Sequence, residues 1–157
     1  MNQRRMDSWW AQWTRPGGTC APPASPARGD FERLLDAYTS LTAPIVRGCW
    51  VFLTVAVVVA AGSLLGAVLG LLVESAFFLV AGTYCLANFA RCREAHCIVT
   101  GLGWSALAVA GVAAAVTGRD VRTAAWIAFL VIFVLGHGFE AIWKSVHGSN
   151  ALRLTVP

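Results

Sequence analysis

The chain alternates long apolar runs with short polar breaks. A bilayer core of about 30 Å is crossed by ~20 apolar residues in a helix, so runs of this length predict membrane-spanning helices. The interval 46–90 is long enough for two helices in a tight hairpin, which brings the expected number of spans to four. The apolar runs cover residues 45–73, 76–90, 98–118 and 124–143.

Two positions compete for the turn of the first predicted hairpin. Glu74 and Ser75 offer a polar break, whereas the segment from Gly66 to Gly70 offers a flexible one. Gly62, Gly66 and Gly70 also form two overlapping GxxxG units, a spacing that lets transmembrane helices approach closely. This pattern favours a helix that continues past Gly70 and a turn near Glu74.

The polar segments outside the spans complete the predicted organisation. The first 44 residues contain no apolar run typical of a signal peptide. An all-α membrane bundle of four transmembrane helices, arranged as two hairpins, is therefore expected between two tails. Its predicted parts are a disordered cytoplasmic tail (1–29), a short amphipathic interfacial helix (30–44), the four-helix transmembrane domain (45–143) and a second cytoplasmic tail (144–157).

The segment 30–44 carries apolar residues at helical spacing after Asp30, which is a candidate N-cap. Such a stripe predicts a helix lying on the membrane surface. A packing helix that merely leads into the first span is the alternative. The stripe consists of Phe31, Leu34, Leu35, Tyr38 and Leu41.

The basic residues predict how the chain sits in the membrane. Four spans place both tails and the loop between the second and third spans on one side. That side holds ten of the twelve Lys and Arg residues, and Arg119 and Arg122 lie on the other. By the positive-inside rule both termini are cytoplasmic, and a multi-pass protein of the cytoplasmic membrane is expected.

Composition supports a membrane protein and argues against several other classes. Apolar residues make up 57% of the chain and charged residues 13%, which is roughly half the charge of a soluble domain. The formal net charge of +4 is explained by membrane topology rather than by nucleic-acid binding, because no basic helix with interleaved aromatic residues follows the tail. Membrane lipid is the expected environment. The sequence does not decide whether the protein forms a homo-oligomer.

The candidate chemistry is concentrated in CLANFARCREAHC, residues 85–97. This stretch holds three of the five cysteines, one of the three histidines and two arginines. Thiols on the cytoplasmic side are normally kept reduced, so these cysteines are expected to be free ligands or nucleophiles rather than disulfides. The sequence predicts metal ligands at Cys85, Cys92, His96 and Cys97.

Two geometries are open for these ligands. If the helix continues through the stretch, Cys85, Cys92 and His96 share one face. Cys97 then points away. If the helix ends near Arg93, a turn can bring Cys92, His96 and Cys97 together.

The flanking charges and the ligand types indicate which kinds of metal ion this stretch can bind. Arg91 and Arg93 flank Cys92 and favour the thiolate, which is the form that binds metal. Thiolates select Cu(I), Zn or similar ions over Mg or Ca. No CxxC unit occurs, which argues against a structural zinc site and against covalent haem.

Two further residues are candidates for a pathway through the bundle. Cys49 and His137 come to a depth similar to that of Cys85 on other predicted spans. Ionisable residues at such depth are functional candidates. The alternatives are that Cys49 is a packing residue, that His137 is a satisfied bundle histidine and that Glu140 is an interfacial anchor.

The stretch GTYCLANFARCREAHCIVTG resembles the motif C-x2-N-x2-R-C-x3-H-C-x2-T-G of the MerH-type mercuric ion transporters, a family of small bacterial membrane proteins. The departures are Ala90, Arg93 and Leu102, where the family often has Arg, Gly and Pro. The resemblance implies Hg(II) uptake, as part of mercury resistance, toward a cytoplasmic mercuric reductase. The matching residues are Cys85, Asn88, Arg91, Cys92, His96, Cys97, Thr100 and Gly101.

The expected function is that of a transporter, not an enzyme, which passes Hg(II) or another soft metal ion into the cytoplasm from thiolate to thiolate. The ion is cargo, and no permanently bound cofactor is expected. Two other functions compete with this hypothesis: a membrane thiol-disulfide oxidoreductase, which the absence of CxxC disfavours, and a non-catalytic assembly subunit in which the thiols play no part.

Overall fold

The computed structural model describes residues 30–46, 50–149 and 152. Within these residues the chain is all-α, as predicted, with five helices and no strand. The predicted disordered tail, residues 1–29, lies outside the described residues, as does Cys49. The helices are α1 (Asp30–Val46), α2 (Trp50–Leu64), α3 (Gly66–Cys92), α4 (Ala95–Val116) and α5 (Arg122–His147).

Three of the helices are long and apolar enough to cross a membrane, namely α3, α4 and α5. At 1.5 Å per residue each is longer than a bilayer core of about 30 Å. The helix α2 has 15 residues and is therefore shorter, at roughly 22 Å. These lengths and compositions are compatible with a membrane protein.

The predicted turn near Glu74 is wrong. The break falls at Leu65 and Gly66, and α3 runs without interruption through Glu74. Gly66 has a φ of 78°, a left-handed conformation that only glycine adopts without cost. Glu74 needs no loop because Arg122 of α5 pairs with its carboxylate inside the bundle.

The glycine repeat shapes this hairpin instead of extending a helix. Gly62 of α2 and Gly70 of α3 stand four residues to either side of Gly66. A Cβ atom at Gly70 would lie 2.2 Å from the carbonyl oxygen of Gly62. The two backbones are thus in contact, and no side chain fits between them.

The helices α3 and α4 form an antiparallel hairpin joined by a two-residue turn. Arg93 closes α3 in the left-handed conformation, with φ 56°, and Glu94 is extended. Close approach along the hairpin recurs at Gly82, where a Cβ atom would lie 2.5 Å from the Ser105 hydroxyl oxygen. This end of the bundle, with the Arg93–Glu94 turn, is called the cysteine end below, and the opposite end, with the α2–α3 turn and residues 117–121, the loop end.

The middle of the bundle is filled by aromatic side chains from α3, α4 and α5. Trp104 stacks on Phe129 with ring centroids 4.5 Å apart, and its indole N–H donates to the Phe129 carbonyl at 3.1 Å. Aromatic contacts of this kind stabilise a core beyond the area they bury. This aromatic layer consists of Phe77, Phe78, Trp104, Trp126 and Phe129.

The helix α1 packs on α3 through its polar side. The Tyr38 hydroxyl is hydrogen-bonded to the Thr83 hydroxyl, and Asp36 pairs with Arg91. Within the predicted apolar stripe, Phe31, Leu34 and Leu41 are exposed. Three residues of the predicted stripe therefore face away from the bundle, whereas a fourth, Tyr38, contacts α3.

Candidate metal site

The backbone at the cysteine end gathers chemically active side chains into the first turn of α4. The helix α3 ends at Cys92, where the Arg93 N–H bonds to the Phe89 carbonyl at 2.9 Å. After the extended Glu94, the Cys97 N–H bonds to the Glu94 carbonyl at 3.1 Å and opens α4. The structure therefore has a helix that ends near Arg93, the second of the two geometries that the sequence allowed.

Three donor atoms of this turn converge. The Cys97 Sγ lies 3.3 Å from the His96 Nε2 and 3.8 Å from the Glu94 Oε2. The His96 Nε2 is also 3.8 Å from the Glu94 Oε2. One ligand atom of each residue lies within 4.8 Å of the others, which is the spacing that a single metal ion can bridge.

The helix α3 adds a second sulfur. Cys85 lies in the same buried cluster as Cys97, near the Cys97 thiol and the Thr100 hydroxyl across the α3–α4 interface. Both thiols are free and buried. Two cysteines from different helices thus meet inside the bundle. We call Cys85, Glu94, His96 and Cys97 the cysteine-end cluster.

The helix α5 backs the cluster from the other side. The His96 Nδ1 lies 2.7 Å from the Glu140 Oε2, and the His137 ring stacks on the His96 ring with centroids 4.9 Å apart. His137 Nδ1 in turn donates to the Phe133 carbonyl at 3.1 Å. His96 is therefore held by a carboxylate on one nitrogen while its other nitrogen faces Cys97 and Glu94.

A glycine lets α5 come this close. A Cβ atom at Gly136 would lie 2.6 Å from the Thr100 Cγ2 and 3.4 Å from the His96 carbonyl oxygen. Gly136 is buried, and it directly precedes His137. The absence of a side chain at this position allows α5 to carry His137 and Glu140 up to the first turn of α4.

The two predicted thiolate-stabilising arginines have other partners. Arg91 pairs with Asp36 of α1 at 2.8 Å and donates to the Thr39 hydroxyl at 2.6 Å. The Arg93 guanidinium lies over the Phe89 ring, 5.5 Å from its centroid. Arg91 thus fastens α1 to α3, a role that the sequence did not indicate.

The remaining predicted ligands divide between the described and the undescribed parts. Cys85, His96 and Cys97 are brought together, and His137 joins them through His96. The side chain of Cys92 and the whole of Cys49 lie outside the described residues.

Sequence reasoning missed two carboxylates of the site. Glu94 lies inside CLANFARCREAHC but was not counted among the ligands, although it precedes His96 by two residues. The sequence indicates for Glu140 only the role of an interfacial anchor. Its spacing of three residues from His137 on one helix is the signal that could have placed both on one face.

The arrangement can bind a metal ion with mixed donors. Sulfur and imidazole nitrogen suit soft and borderline ions, and the second thiol of Cys85 shifts the preference toward soft ions. A ligating histidine commonly has its other nitrogen held by a carboxylate, which fixes the tautomer and orients the ring. Glu140 is in that position with respect to His96.

No protein-family model, no curated protein and no solved structure matches the chain.

Proposed function

We propose that the protein is a membrane transporter that passes a soft metal ion, Hg(II) first among them, into the cytoplasm. The observation that carries this proposal is the convergence of the Glu94, His96 and Cys97 donor atoms beside the Cys85 thiol. Three apolar helices long enough to cross a membrane support it. The resemblance of CLANFARCREAHC to the MerH-type motif is what favours Hg(II) as the cargo.

The proposed topology has four spans with both termini in the cytoplasm. The helix α2 alone is too short, and the fourth span is proposed from the sequence, whose apolar run from residue 45 to residue 64 has 20 residues, the first two of them in α1. The uneven distribution of basic residues then places the cysteine end on the cytoplasmic side. In this arrangement the loop end, with Arg119 and Arg122, lies on the outer side of the membrane.

The proposed mechanism is a transfer between ligands. Cys85 receives the ion within the bundle, and the bond from the metal to its sulfur breaks as a bond to the Cys97 sulfur forms. His96 and Glu94 complete the second site at the end of the helix pair. The Cys97 thiol gives up its proton as its bond to the metal forms, and the Cys85 thiolate that the metal leaves takes up a proton in return. From this mouth the ion passes to a cytoplasmic thiol acceptor, such as a mercuric reductase.

The proposal is tested by metal binding and by uptake. Cd(II) titration of the purified full-length chain, followed by thiolate-to-metal absorption, is compared for wild type, Cys97→Ser and Cys20→Ser. We expect Cys97→Ser to weaken binding by more than the roughly 10–100-fold typical of an outer-shell change, because it removes a ligand. Cys20→Ser, which removes a thiol far away in the sequence, should bind as wild type does.

Uptake of labelled Hg(II) into vesicles containing a thiol acceptor should fall in parallel with binding. Wild-type affinity and uptake in Cys97→Ser would refute the proposal. The same samples address the competing oxidoreductase, because the contact between the Cys85 and Cys97 thiols is also what dithiol–disulfide exchange needs. A Cys85–Cys97 disulfide trapped in quenched cells, together with absent metal uptake, would select that function instead.

A further inference from the structure

The loop end carries a second polar site, which the proposed function does not use. It is a cleft of about 290 Å³ between α2, α3 and α5. Its wall combines two carboxylates, a guanidinium and two hydroxyls with an indole. The lining residues of this loop-end cleft are Val59, Ser63, Glu74, Asp120, Arg122, Thr123 and Trp126.

Glu74 is the central group of the cleft. Its side chain is fully buried, and its Oε1 accepts hydrogen bonds from the Arg122 Nε at 3.0 Å and Nη2 at 2.6 Å. Gly62 of α2 backs this pair, because a Cβ atom there would lie 2.6 Å from the same oxygen. The ion pair is thus fixed between three helices.

The second carboxylate oxygen of Glu74 is the feature of the cleft that indicates a ligand. Within the described ranges the Glu74 Oε2 has no hydrogen-bond partner, and neither has the Trp126 Nε1 in the same wall. Buried carboxylate oxygens are nearly always bonded to protein, water or an ion. A cleft beside such an oxygen is suited to supply the missing partner.

The charge of the lining favours a cation. Glu74 and Asp120 contribute two negative charges against the one positive charge of Arg122, which leaves one negative charge in the cleft. Asp120 accepts the Arg122 backbone N–H at 3.2 Å and is thereby held at the start of α5. Carboxylate and hydroxyl oxygens bind cations loosely enough for release, as a conducting path requires.

The cleft and the cysteine-end cluster lie on opposite sides of the aromatic layer. Trp126 belongs both to the cleft wall and to the layer, where it contacts Phe78 with centroids 5.0 Å apart. Along α3, Glu74 precedes Phe78 and Cys85 follows it, so the three levels succeed one another along the bundle. The aromatic side chains close the path between the two polar sites in this conformation.

We propose that the loop-end cleft is a cation-selective vestibule in which the free oxygen of Glu74 receives a small inorganic cation before it enters the bundle. The identity of that cation as the transported metal rests on the proposed function. The preference of the cleft for cations does not rest on the proposed function, since it follows from the charges and oxygens of the lining.

Selectivity is tested without any metal. A Val59→Cys substitution places a reporter thiol in the cleft of the full-length chain, in right-side-out membrane vesicles. Its rates of modification by a cationic and an anionic methanethiosulfonate reagent are compared with those of the chain without the new thiol. Relative to their rates with a free thiol in solution, we expect the cationic reagent to react about a hundredfold faster than the anionic one. One negative charge at ~6 Å in a medium of effective dielectric constant ~40 favours the cation about tenfold and disfavours the anion about tenfold.

Variants of Glu74 identify the group responsible. Glu74→Gln, which can still accept from Arg122, should bring the ratio of the two rates close to one, whereas Glu74→Asp and the exposed Asp30→Asn should keep it. A reporter thiol that reacts with neither reagent would overturn the vestibule. A ratio unaffected by Glu74→Gln would overturn the role of Glu74.

A separate measurement tests whether the cation that enters the cleft is the transported metal. In chloride-free buffer, Glu74→Gln should raise the half-saturating Hg(II) concentration for uptake several-fold and leave Cd(II) binding at the cysteine-end cluster of the purified chain unchanged. An unchanged half-saturating concentration would overturn the entry role alone. Loss of metal binding or uptake in the wild type would instead reject the proposed function, while the reagent ratio would still decide the vestibule.

Discussion

The bundle keeps ionisable groups at both ends, and the two ends stabilise them differently. At the loop end, Glu74 and Arg122 come from different helices and compensate each other's charge directly. At the cysteine end, Glu94, His96 and Cys97 come from one turn, and their donor atoms face a common point. The comparison teaches that burial of polar groups alone does not make a candidate metal site; the donor atoms must also converge.

The two sites also differ in the groups that hold them in place. The loop-end pair is fixed by backbone, because Gly62 allows α2 to lie against it. The cysteine-end cluster is fixed by side chains of α5, through Glu140 and the stacked His137. Substitutions at the loop end should therefore change stability most, and substitutions at the cysteine end should change ligand affinity most.

The largest expected effect is on stability at the loop end. Glu74→Ala leaves the partly buried Arg122 guanidinium without its carboxylate, and removal of one partner of a buried pair costs about 3–5 kcal/mol. SDS-induced unfolding in mixed micelles measures this loss, and Asp30→Asn, at an exposed pair, should show none. A loss below about 1 kcal/mol would mean that the pair behaves like a surface ion pair.

The second effect is on affinity at the cysteine end. Glu140→Gln removes the charge that holds the His96 Nδ1 while keeping the side-chain shape, and such outer-shell changes weaken metal binding about 10–100-fold. Cd(II) competition with a chelator measures it. Glu74→Gln is the matched carboxylate control and should leave the affinity as it is. Equal affinities of Glu140→Gln and wild type would show that His96 is oriented without Glu140.

The smallest expected effect is on stability, at a contact that lies outside both sites. Tyr38→Phe removes the hydroxyl that joins α1 to Thr83 of α3, and a hydrogen bond of this kind contributes about 0.5–1.5 kcal/mol to stability. Ser40→Ala is the control, because the Ser40 hydroxyl donates within its own helix, to the Ala37 carbonyl. Identical unfolding curves for the two variants would contradict the packing of α1 on α3.

The helical, apolar nature of the chain followed from local sequence. Runs of ~20 apolar residues predict helices wherever they occur, and α4 and α5 each fall on such a run. The helix α3 instead joins the end of the first run to the second across Glu74 and Ser75. The first turn did not follow from the same pattern. Glu74 looked like a break because a lone carboxylate in an apolar run is costly, and its partner Arg122 lies 48 residues away.

The candidate site divides in the same way. The spacing of Cys85, His96 and Cys97 was enough to nominate them as ligands, since residue types and short spacings are local properties. The sequence does not decide whether the helix continues or ends at Arg93, because a single left-handed residue determines it. The sequence did not indicate the pairing of Arg91 with Asp36, because Asp36 belongs to another helix.

The sequence by itself thus determined the all-α class, the apolar helices and the concentration of thiols and imidazole in CLANFARCREAHC. Only the tertiary structure decided that Cys85 meets Cys97, that Glu140 holds His96 and that Glu74 is paired inside the bundle. The physical reason is that helix formation depends on neighbours within a few residues. The compensation of a buried charge depends instead on which helices pack together, and the small residues at the contacts, such as Gly136 and Gly62, set how closely they do so.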